Sequence, residues 1–232
     1  MMADIFSVFD DHNSVFMSSY MLMWLFIFTV LLLFSAMYWV REDRWSNTKN
    51  LPKSVISSQV SCSFGKDLGG FLIVLSALFI LLIIFNLLGL VPYVFSNTSH
   101  LAVTFSLGFP LWFSLILTGS FLSPTSTAAA LLPAGAPAPL NPFLVLVETV
   151  SLCVRPITLS VRLAANMSSG HIVLGLISDY LVSAMTSSSC PAAVSLYMLE
   201  WLYFIFEYGV SLIQAYIFCL LITLYSDDHP SL

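Results

Sequence analysis

Five apolar segments follow one another along the chain and predict membrane-spanning helices. A helix of about 20 apolar residues crosses a bilayer, and residues 20–40, 71–95 and 101–122 each reach that length without a charged residue. Two later segments, residues 142–178 and 191–225, are longer than a simple span and contain most of the charges that lie within apolar sequence. The pattern predicts an all-α integral membrane protein of about five to six helices.

Capping residues and prolines mark where the two long helices begin. Asn141 is an asparagine cap followed by Pro142 at the first helical position. Serines 187–189 before Pro191 mark a second helix start and the turn that precedes it. The prolines and glycine within residues 124–142 indicate a structured connector and not a helix.

These boundaries divide the chain into four regions. We expect an N-terminal span with a basic loop (1–67), two further spans (68–123), the proline-rich connector (124–141) and a long helical hairpin (142–232). Five of the seven basic residues lie in the loop after the first span, so the positive-inside rule places this loop in the cytoplasm or its organellar equivalent, the matrix. They are Arg41, Arg44, Lys49, Lys53 and Lys66.

Composition supports the membrane assignment and excludes several functions. The chain is 59% hydrophobic and 8% charged, whereas soluble domains carry about 25% charged residues. The net charge of −5 and the lack of a basic, aromatic cluster argue against nucleic acid. The cysteines and histidines show no metal or redox spacing, so no cofactor is expected. No phosphate-cradling loop is present, so we expect no nucleotide site and no catalytic activity in this chain.

Arg162 is the most informative polar residue, because it lies in apolar sequence with no acid within a helical turn. An arginine at bilayer depth costs a few kcal/mol or more and therefore marks a functional site by default. Arg155 and Glu148 precede it at intervals of seven residues, about two helical turns each. The opposite charge that Arg162 requires is not evident within this chain.

Joining the two long helices as an antiparallel hairpin brings polar residues opposite one another. Three such pairs all centre on residues 188–189, where the turn is predicted. The pairs are Glu148 with Asp228, Arg162 with Gln214, and His171 with Glu207.

The pairs form two polar clusters on either side of Arg162. Glu148 and Asp228 lie about 20 Å from the arginine along the helix axis on one flank. His171 lies about 13 Å away on the other flank and about half a turn out of phase. This arrangement predicts two offset half-channels that open on opposite sides of the membrane, and not one continuous pore.

Four motifs resemble subunit a of the rotary ATP synthase, in its mitochondrial form. The most specific is LSVRLAANMSSGH at residues 159–171, which contains the arginine. The others are NLLGLVPY at 86–93, LPAGAP at 132–137 running on to Glu148, and IQAYIF at 213–218, and they occur in family order. The mitochondrial form has a histidine at the position of His171, where many bacterial forms have glutamate.

The resemblance implies a proton-conducting stator in the mitochondrial inner membrane. The tilted hairpin would pack against a ring of c subunits, together with other membrane-sector and peripheral-stalk subunits, and the ring carboxylate would be the partner of Arg162. His171, Glu207 and Asn166 would belong to the outer entry path, and Glu148 and Asp228 to the matrix-side exit. Gln214 would lie beside the arginine, which separates the two half-channels.

Structural interpretations of the same residues stay open. Arg162 could be paired within the hairpin, Glu148 and Glu207 could be structural, His171 could be a packing residue, and Asp228 could belong to a solvated terminus. The roles of three further polar residues are also open, namely Arg155, Glu200 and Asn86.

Two other functions would share this composition. A proton-pumping subunit of a respiratory complex would usually show lysine–glutamate relays or paired haem histidines, and neither occurs here. A structural membrane scaffold would explain the helices, but not the stripe of polar residues at a period of seven along the last helix, which comprises Glu200, Glu207, Gln214 and Asp228.

Overall fold

The protein is helical throughout the part of the chain that the computed structural model describes. That part comprises residues 9, 25, 28–29, 32, 44–91, 94, 96–132, 140–187 and 190–227. It contains six α-helices and two short 3₁₀ turns, and no strand occurs within it. The helices are α1 (Arg44–Cys62), α2 (Phe71–Gly89), α3 (Leu101–Leu122), α4 (Pro124–Ala130), α5 (Asn141–Thr186) and α6 (Cys190–Asp227).

Four of these helices, α2, α3, α5 and α6, are long and apolar enough to cross a membrane. This confirms the prediction of an all-α integral membrane protein with a long C-terminal helical pair. Most of the predicted first span, residues 20–40, lies outside the described residues. Its described positions are helical, and they are Leu25, Phe28, Thr29 and Leu32.

The two C-terminal helices are far longer than a bilayer is thick. Helix α5 has 46 residues and α6 has 38, which at 1.5 Å per residue correspond to about 69 Å and about 57 Å. The hydrocarbon core measures about 30 Å, so neither helix can stand upright within it. Helix α5 begins at Asn141 and α6 at Cys190, as the capping residues predicted.

Two predicted boundaries were wrong. Residues 124–130 form helix α4, although the prolines and glycine had indicated a structured connector and not a helix. Pro124 occupies the first turn of α4, where its missing N–H costs nothing, and the alanines that follow favour helix strongly. Helix α2 ends at Gly89, short of the predicted residue 95, because Pro92 disfavours helical backbone just before it.

The chain divides into two compact units. The first, the outer unit, comprises Met1–Glu42, Ile80–His100 and Leu163–Tyr216, and the second, the inner unit, comprises Asp43–Phe79, Leu101–Arg162 and Ile217–Leu232. We name them by the membrane side that the sequence predicts for their polar residues. Helices α2, α5 and α6 each contribute residues to both units, whereas the whole of α3 lies in the inner unit.

Hydroxyl groups along α5 donate to the backbone of the same helix. Each accepting carbonyl oxygen lies three residues before the donor, at O···O distances of 2.8 to 3.1 Å. The donors are Thr149, Thr158, Ser160, Ser168, Ser169, Ser178, Ser183 and Thr186. Serine and threonine commonly satisfy the hydrogen-bonding capacity of their hydroxyl groups in this way within apolar helices.

A glycine lets three helices approach closely within the inner unit. A Cβ on Gly108 would lie 3.3 Å from Leu159 Cδ2 and 3.9 Å from both Phe218 Cζ and the Pro156 carbonyl oxygen. Small residues allow such close packing between membrane helices. The absence of a side chain at Gly108 therefore allows α3 to pack closely against α5 and α6.

Replacing Gly108 with leucine is expected to destabilise the protein by about 1–3 kcal/mol, because the larger side chain has no space between the helices. Thermal unfolding in detergent measures the change as a lower midpoint temperature. Ser106→Leu, at an exposed position on the same helix, is the matched control and should unfold near the wild-type temperature. Equal midpoints for both variants would contradict close packing at Gly108.

Candidate functional site

The polar residues of the outer unit meet where α5 faces α6. The Asn166 side-chain amide donates to Gln214 Oε1 at 2.8 Å. Gln214 is buried and Asn166 half-buried. Gln214 therefore has a hydrogen-bond partner that the sequence had not assigned to it, since Asn166 was expected in the outer path and Gln214 beside Arg162.

A carboxylate lies directly against the backbone of α5. The side-chain carboxylate of Glu207 contacts Gly170, where a Cβ would overlap its oxygens. Glu207 is buried, and the hydroxyl of Tyr203, one turn earlier on α6, interacts with its carboxylate. Because residue numbers rise along α5 from Asn166 to Gly170 as they fall along α6 from Gln214 to Glu207, the two helices are antiparallel, as predicted.

Helix α2 brings a third polar side chain to this cluster. The amide of Asn86, which is fully buried, donates to the backbone carbonyl of Ser211 at 3.1 Å. Ser211 lies one turn from both Glu207 and Gln214 along α6. Sequence reasoning had left the role of Asn86 open, and the NLLGLVPY motif was the signal that pointed to it.

Several buried polar atoms of the outer unit have no hydrogen-bond partner among the described residues. They are Asn86 Oδ1, Asn97 Nδ2, Thr98 Oγ1, His171 Nε2 and Glu207 Oε1. Buried polar atoms in native proteins are almost always satisfied by protein or by ordered water. Such atoms also occur in the inner unit, at Ser123 Oγ and Asn141 Oδ1, so each unit has buried positions where ordered water could complete a hydrogen bond.

His171 and Glu207, predicted as a facing pair, are both in the outer unit. Each has an unpartnered atom, His171 Nε2 and Glu207 Oε1, so these two atoms do not bond to each other. The His171 imidazole packs edge-on against Phe9 with ring centroids 6.3 Å apart. Both atoms are buried and could each still form a hydrogen bond.

The inner unit contains a cavity of about 720 Å³ walled by α3, α4, α5 and the end of α6. Its wall is mostly apolar, with Trp112 and Leu115 among the lining residues, but Glu148 and Arg155 also lie on it. Glu148, predicted for the matrix-side exit, therefore lines a partly open cavity. Asp228, its predicted partner, lies outside the described residues.

Arg155 connects α5 to α6 at this cavity. Its Nη2 lies 3.9 Å from Glu148 Oε1, and its guanidinium carbon lies 5.2 Å from the centroid of the Tyr225 ring. The first contact is an ion pair and the second a cation–π interaction. Sequence reasoning had noted the seven-residue spacing of Glu148 and Arg155 but had left the role of Arg155 open, and Tyr225 carried no sequence signal that distinguished it from a packing aromatic.

Arg162 itself is exposed on α5. Among the described residues it forms neither an ion pair nor a hydrogen bond. A guanidinium at the surface of an apolar helix needs a partner from elsewhere if it faces hydrocarbon. Its position agrees with the expectation that the opposite charge comes from outside this chain.

The described residues contain no group of histidine, cysteine, aspartate and glutamate side chains suited to a metal ion. What the outer unit brings together is a carboxylate, an imidazole and three amides. These groups can accept, donate and relay protons through water. The inner unit places one carboxylate and one guanidinium at a cavity.

Comparison with known proteins gives one consistent result. A family model described as ATP synthase A chain matches residues 16–227. The chain is 41% identical to ATP synthase subunit a of Artemia franciscana, over 98% of this chain and 100% of that protein. It is 36% identical to ATP synthase subunit a of Locusta migratoria, over 98% and 99%, and 37% identical to that of Albinaria caerulea, over 99% and 100%.

Proposed function

This chain belongs to the ATP synthase A chain family, and from that premise we propose that it is the stator through which protons reach and leave a rotating ring of c subunits. The relatives compared above are animal proteins, and animals make ATP at the mitochondrial inner membrane, so we place the chain there. Other membrane-sector and peripheral-stalk subunits would hold it. ATP chemistry would take place on other subunits, and this chain would be non-catalytic. Family membership sets aside the respiratory pump and the scaffold.

The outer entry path would run through the polar cluster of the outer unit. Glu207, His171 and Asn166 would carry protons inward through water, and Gln214 would fix the orientation of Asn166. The observation that supports this most directly is that two of these side chains carry a buried polar atom, Glu207 Oε1 and His171 Nε2, that has no hydrogen-bond partner among the described residues. Such atoms bind water, and chains of water and titratable groups conduct protons.

The exit path toward the matrix would begin at the cavity of the inner unit. Glu148 lies on its wall and would accept protons released from the ring, with Asp228 near the end of the chain as the next acceptor. The two paths use different parts of α5 and α6. In the proposed mechanism a proton passes from one path to the other by riding on the ring.

Arg162 would drive release and prevent leakage. At about 4 Å and an effective dielectric near 20, a guanidinium attracts a carboxylate by about 4 kcal/mol, which favours loss of a proton roughly a thousandfold. The same charge repels a proton that would jump directly between the paths. Its exposed position and its lack of a partner among the described residues support this role.

Passive proton flux tests the proposal. The purified complex is reconstituted in liposomes, the catalytic head is removed, and a potassium diffusion potential drives protons through the membrane sector. We expect Glu207→Gln to lower the flux at least about tenfold, because an amide cannot carry a proton. Co-purification of the c subunits verifies assembly.

Asp179→Asn is the matched control, since it makes the same charge change at an exposed position on α5. It should conduct like the wild type. Wild-type flux in Glu207→Gln would exclude Glu207 from the path, and failure of the wild-type chain to co-purify with c subunits would overturn the proposed function.

A further inference from the structure

We infer that Tyr225 is a positioning residue of the matrix-side exit, which holds Arg155 and through it fixes the carboxylate of Glu148 at the cavity wall. The inference rests on the proposed function, because it assumes that Glu148 carries protons. It goes beyond that function by assigning roles to Arg155 and Tyr225, which together would hold the Glu148 carboxylate in position. The three side chains lie within the inner unit, and all three line the cavity.

The positions of Glu148 and Arg155 on α5 explain why the ion pair needs support. The two residues are seven positions apart, about two turns or roughly 10 Å along the axis. Side chains on a helix lean toward its N-terminus, so Arg155 reaches back in the direction of Glu148. Even so, the closest N···O distance is 3.9 Å, at the long end of the ion-pair range.

Arginine has several rotatable bonds, and an ion pair of this length alone does not fix them. The Tyr225 ring provides a further contact, at 5.2 Å from the guanidinium carbon. An aromatic face attracts a cation, and more strongly where water is scarce. Because Tyr225 projects from α6 while both charged residues lie on α5, the ring also ties the two helices together at the cavity.

The arrangement leaves the carboxylate free to react. The Glu148 side chain is 40% exposed and the Arg155 side chain 24% exposed. The carboxylate of Glu148 is therefore the more accessible of the two charged groups, and the guanidinium of Arg155 is the more enclosed. A fully engaged, bidentate pair would occupy both carboxylate oxygens. Here one oxygen faces the guanidinium at a distance, which is suited to an acceptor that must repeatedly gain and lose a proton. Cys153 is the remaining titratable side chain on the cavity wall, with Glu148, Arg155 and Tyr225.

Substitutions at Tyr225 separate the ring from the hydroxyl. Passive proton flux is measured in the head-depleted complex, as above. Tyr225→Phe and Tyr225→Trp keep an aromatic face and should conduct within about twofold of the wild type, whereas Tyr225→Leu should lower the flux about fivefold, the effect of losing roughly one cation–π contact. Recovery with phenylalanine and tryptophan is a result that simple loss of packing volume would not give.

Arg155→Gln completes the comparison. It should lower the flux to a similar extent, and adding Tyr225→Leu to it should have little further effect, because the ring acts only through the guanidinium. Equal losses in the phenylalanine and leucine variants would point to the hydroxyl and overturn the inference, as would independent, multiplying losses in the double variant. Wild-type flux in Tyr225→Leu would do the same.

Glu148→Gln distinguishes failure of this inference from failure of the proposed exit path. If this variant conducts poorly while Tyr225→Leu conducts normally, Glu148 carries protons without the support of Tyr225, and only the inference fails. If Glu148→Gln conducts like the wild type, the assignment of Glu148 to the exit fails as well. Co-purification of c subunits with every variant shows that the complexes compared are assembled.

Discussion

Replacing Arg162 with alanine is expected to abolish coupled ATP synthesis while the membrane sector stays assembled. The side chain is exposed on α5, so its removal leaves no hole in the packing of the chain. What disappears is the charge that would draw a proton from each passing carboxylate, an effect of about 4 kcal/mol. The measurement is ATP synthesis by the reconstituted complex under an imposed proton gradient, together with passive flux after removal of the head.

Passive flux gives the more specific outcome for Arg162→Ala. Without a fixed cation between the two paths, protons can pass between them without rotation, and we expect an uncoupled leak. A potential of 100 mV supplies about 2.3 kcal/mol per proton, so the driving force for such a leak is large. Arg162→Lys should retain part of the coupling, because its ammonium is charged but can lose its proton when desolvated.

Lys53→Ala, which removes an exposed positive charge from α1, is the control for net charge and should synthesise ATP normally. Normal coupling in Arg162→Ala would overturn the stator mechanism. Loss of assembly would assign the arginine a structural role in place of the proposed one.

The substitution Gly170→Ala is expected to lower proton flux several-fold without unfolding the protein. An added Cβ would occupy the space that the Glu207 carboxylate now fills. That carboxylate is the end of a flexible side chain, so it can swing away at little cost, and alanine favours helix over glycine by about 1 kcal/mol. The helix should therefore be as stable as before, or more so, while the carboxylate leaves its place in the outer path. Passive flux and thermal unfolding, measured on the same preparation, separate the two effects.

Gly175 supplies a matched control on the same helix. A Cβ at Gly175 would meet nothing within 4 Å, so Gly175→Ala makes the same chemical change without touching Glu207, and its flux should equal that of the wild type. Combining Gly170→Ala with Glu207→Asp shortens the acid by one methylene and should recover part of the flux relative to Gly170→Ala alone. A loss of equal size in both glycine variants would show that helix flexibility matters, and not the position of Glu207.

The sequence predicted the helical hairpin well because its signals are strong and local. Asn141 and the serines before Cys190 are capping residues whose effect depends on their immediate neighbours, and α5 and α6 begin where they indicate. The error at residues 124–130 has an equally local cause. The prolines and glycine that argued against a helix, Pro133, Gly135, Pro137 and Pro139, all follow residue 130, whereas Pro124 lies in the first turn of α4, where a proline is favourable.

Side-chain partners were harder to predict than helices. A period of seven keeps residues on one stripe, but an α-helix drifts about 20° per heptad against it. The stripe therefore identifies which face of α6 is polar without deciding which residue of α5 each side chain meets. Gln214 illustrates the difference, since it bonds to Asn166 and not to the arginine one turn earlier that the symmetric pairing had suggested.

Contacts to backbone atoms lie further beyond sequence reasoning. The Asn86 amide binds a carbonyl of α6 that is 125 residues away, and a carbonyl has no residue type that could signal its role. The contact between Gly170 and Glu207 depends on the absence of a side chain, which becomes informative only when the opposite helix is known. The contact of Tyr225 with a cation became recognisable only when the structure gave the position of the Arg155 guanidinium.

The hydroxyl groups of α5 have a consequence for motion. A hydroxyl that donates to its own helix has no proton left to offer a neighbour, and all eight described above are engaged in this way. A body sliding past α5 would therefore find few directional bonds to break and remake at each step. In the proposed mechanism, the exposed hydroxyls of this set would therefore add little resistance to the motion of the ring, and Arg162 would provide the main attraction.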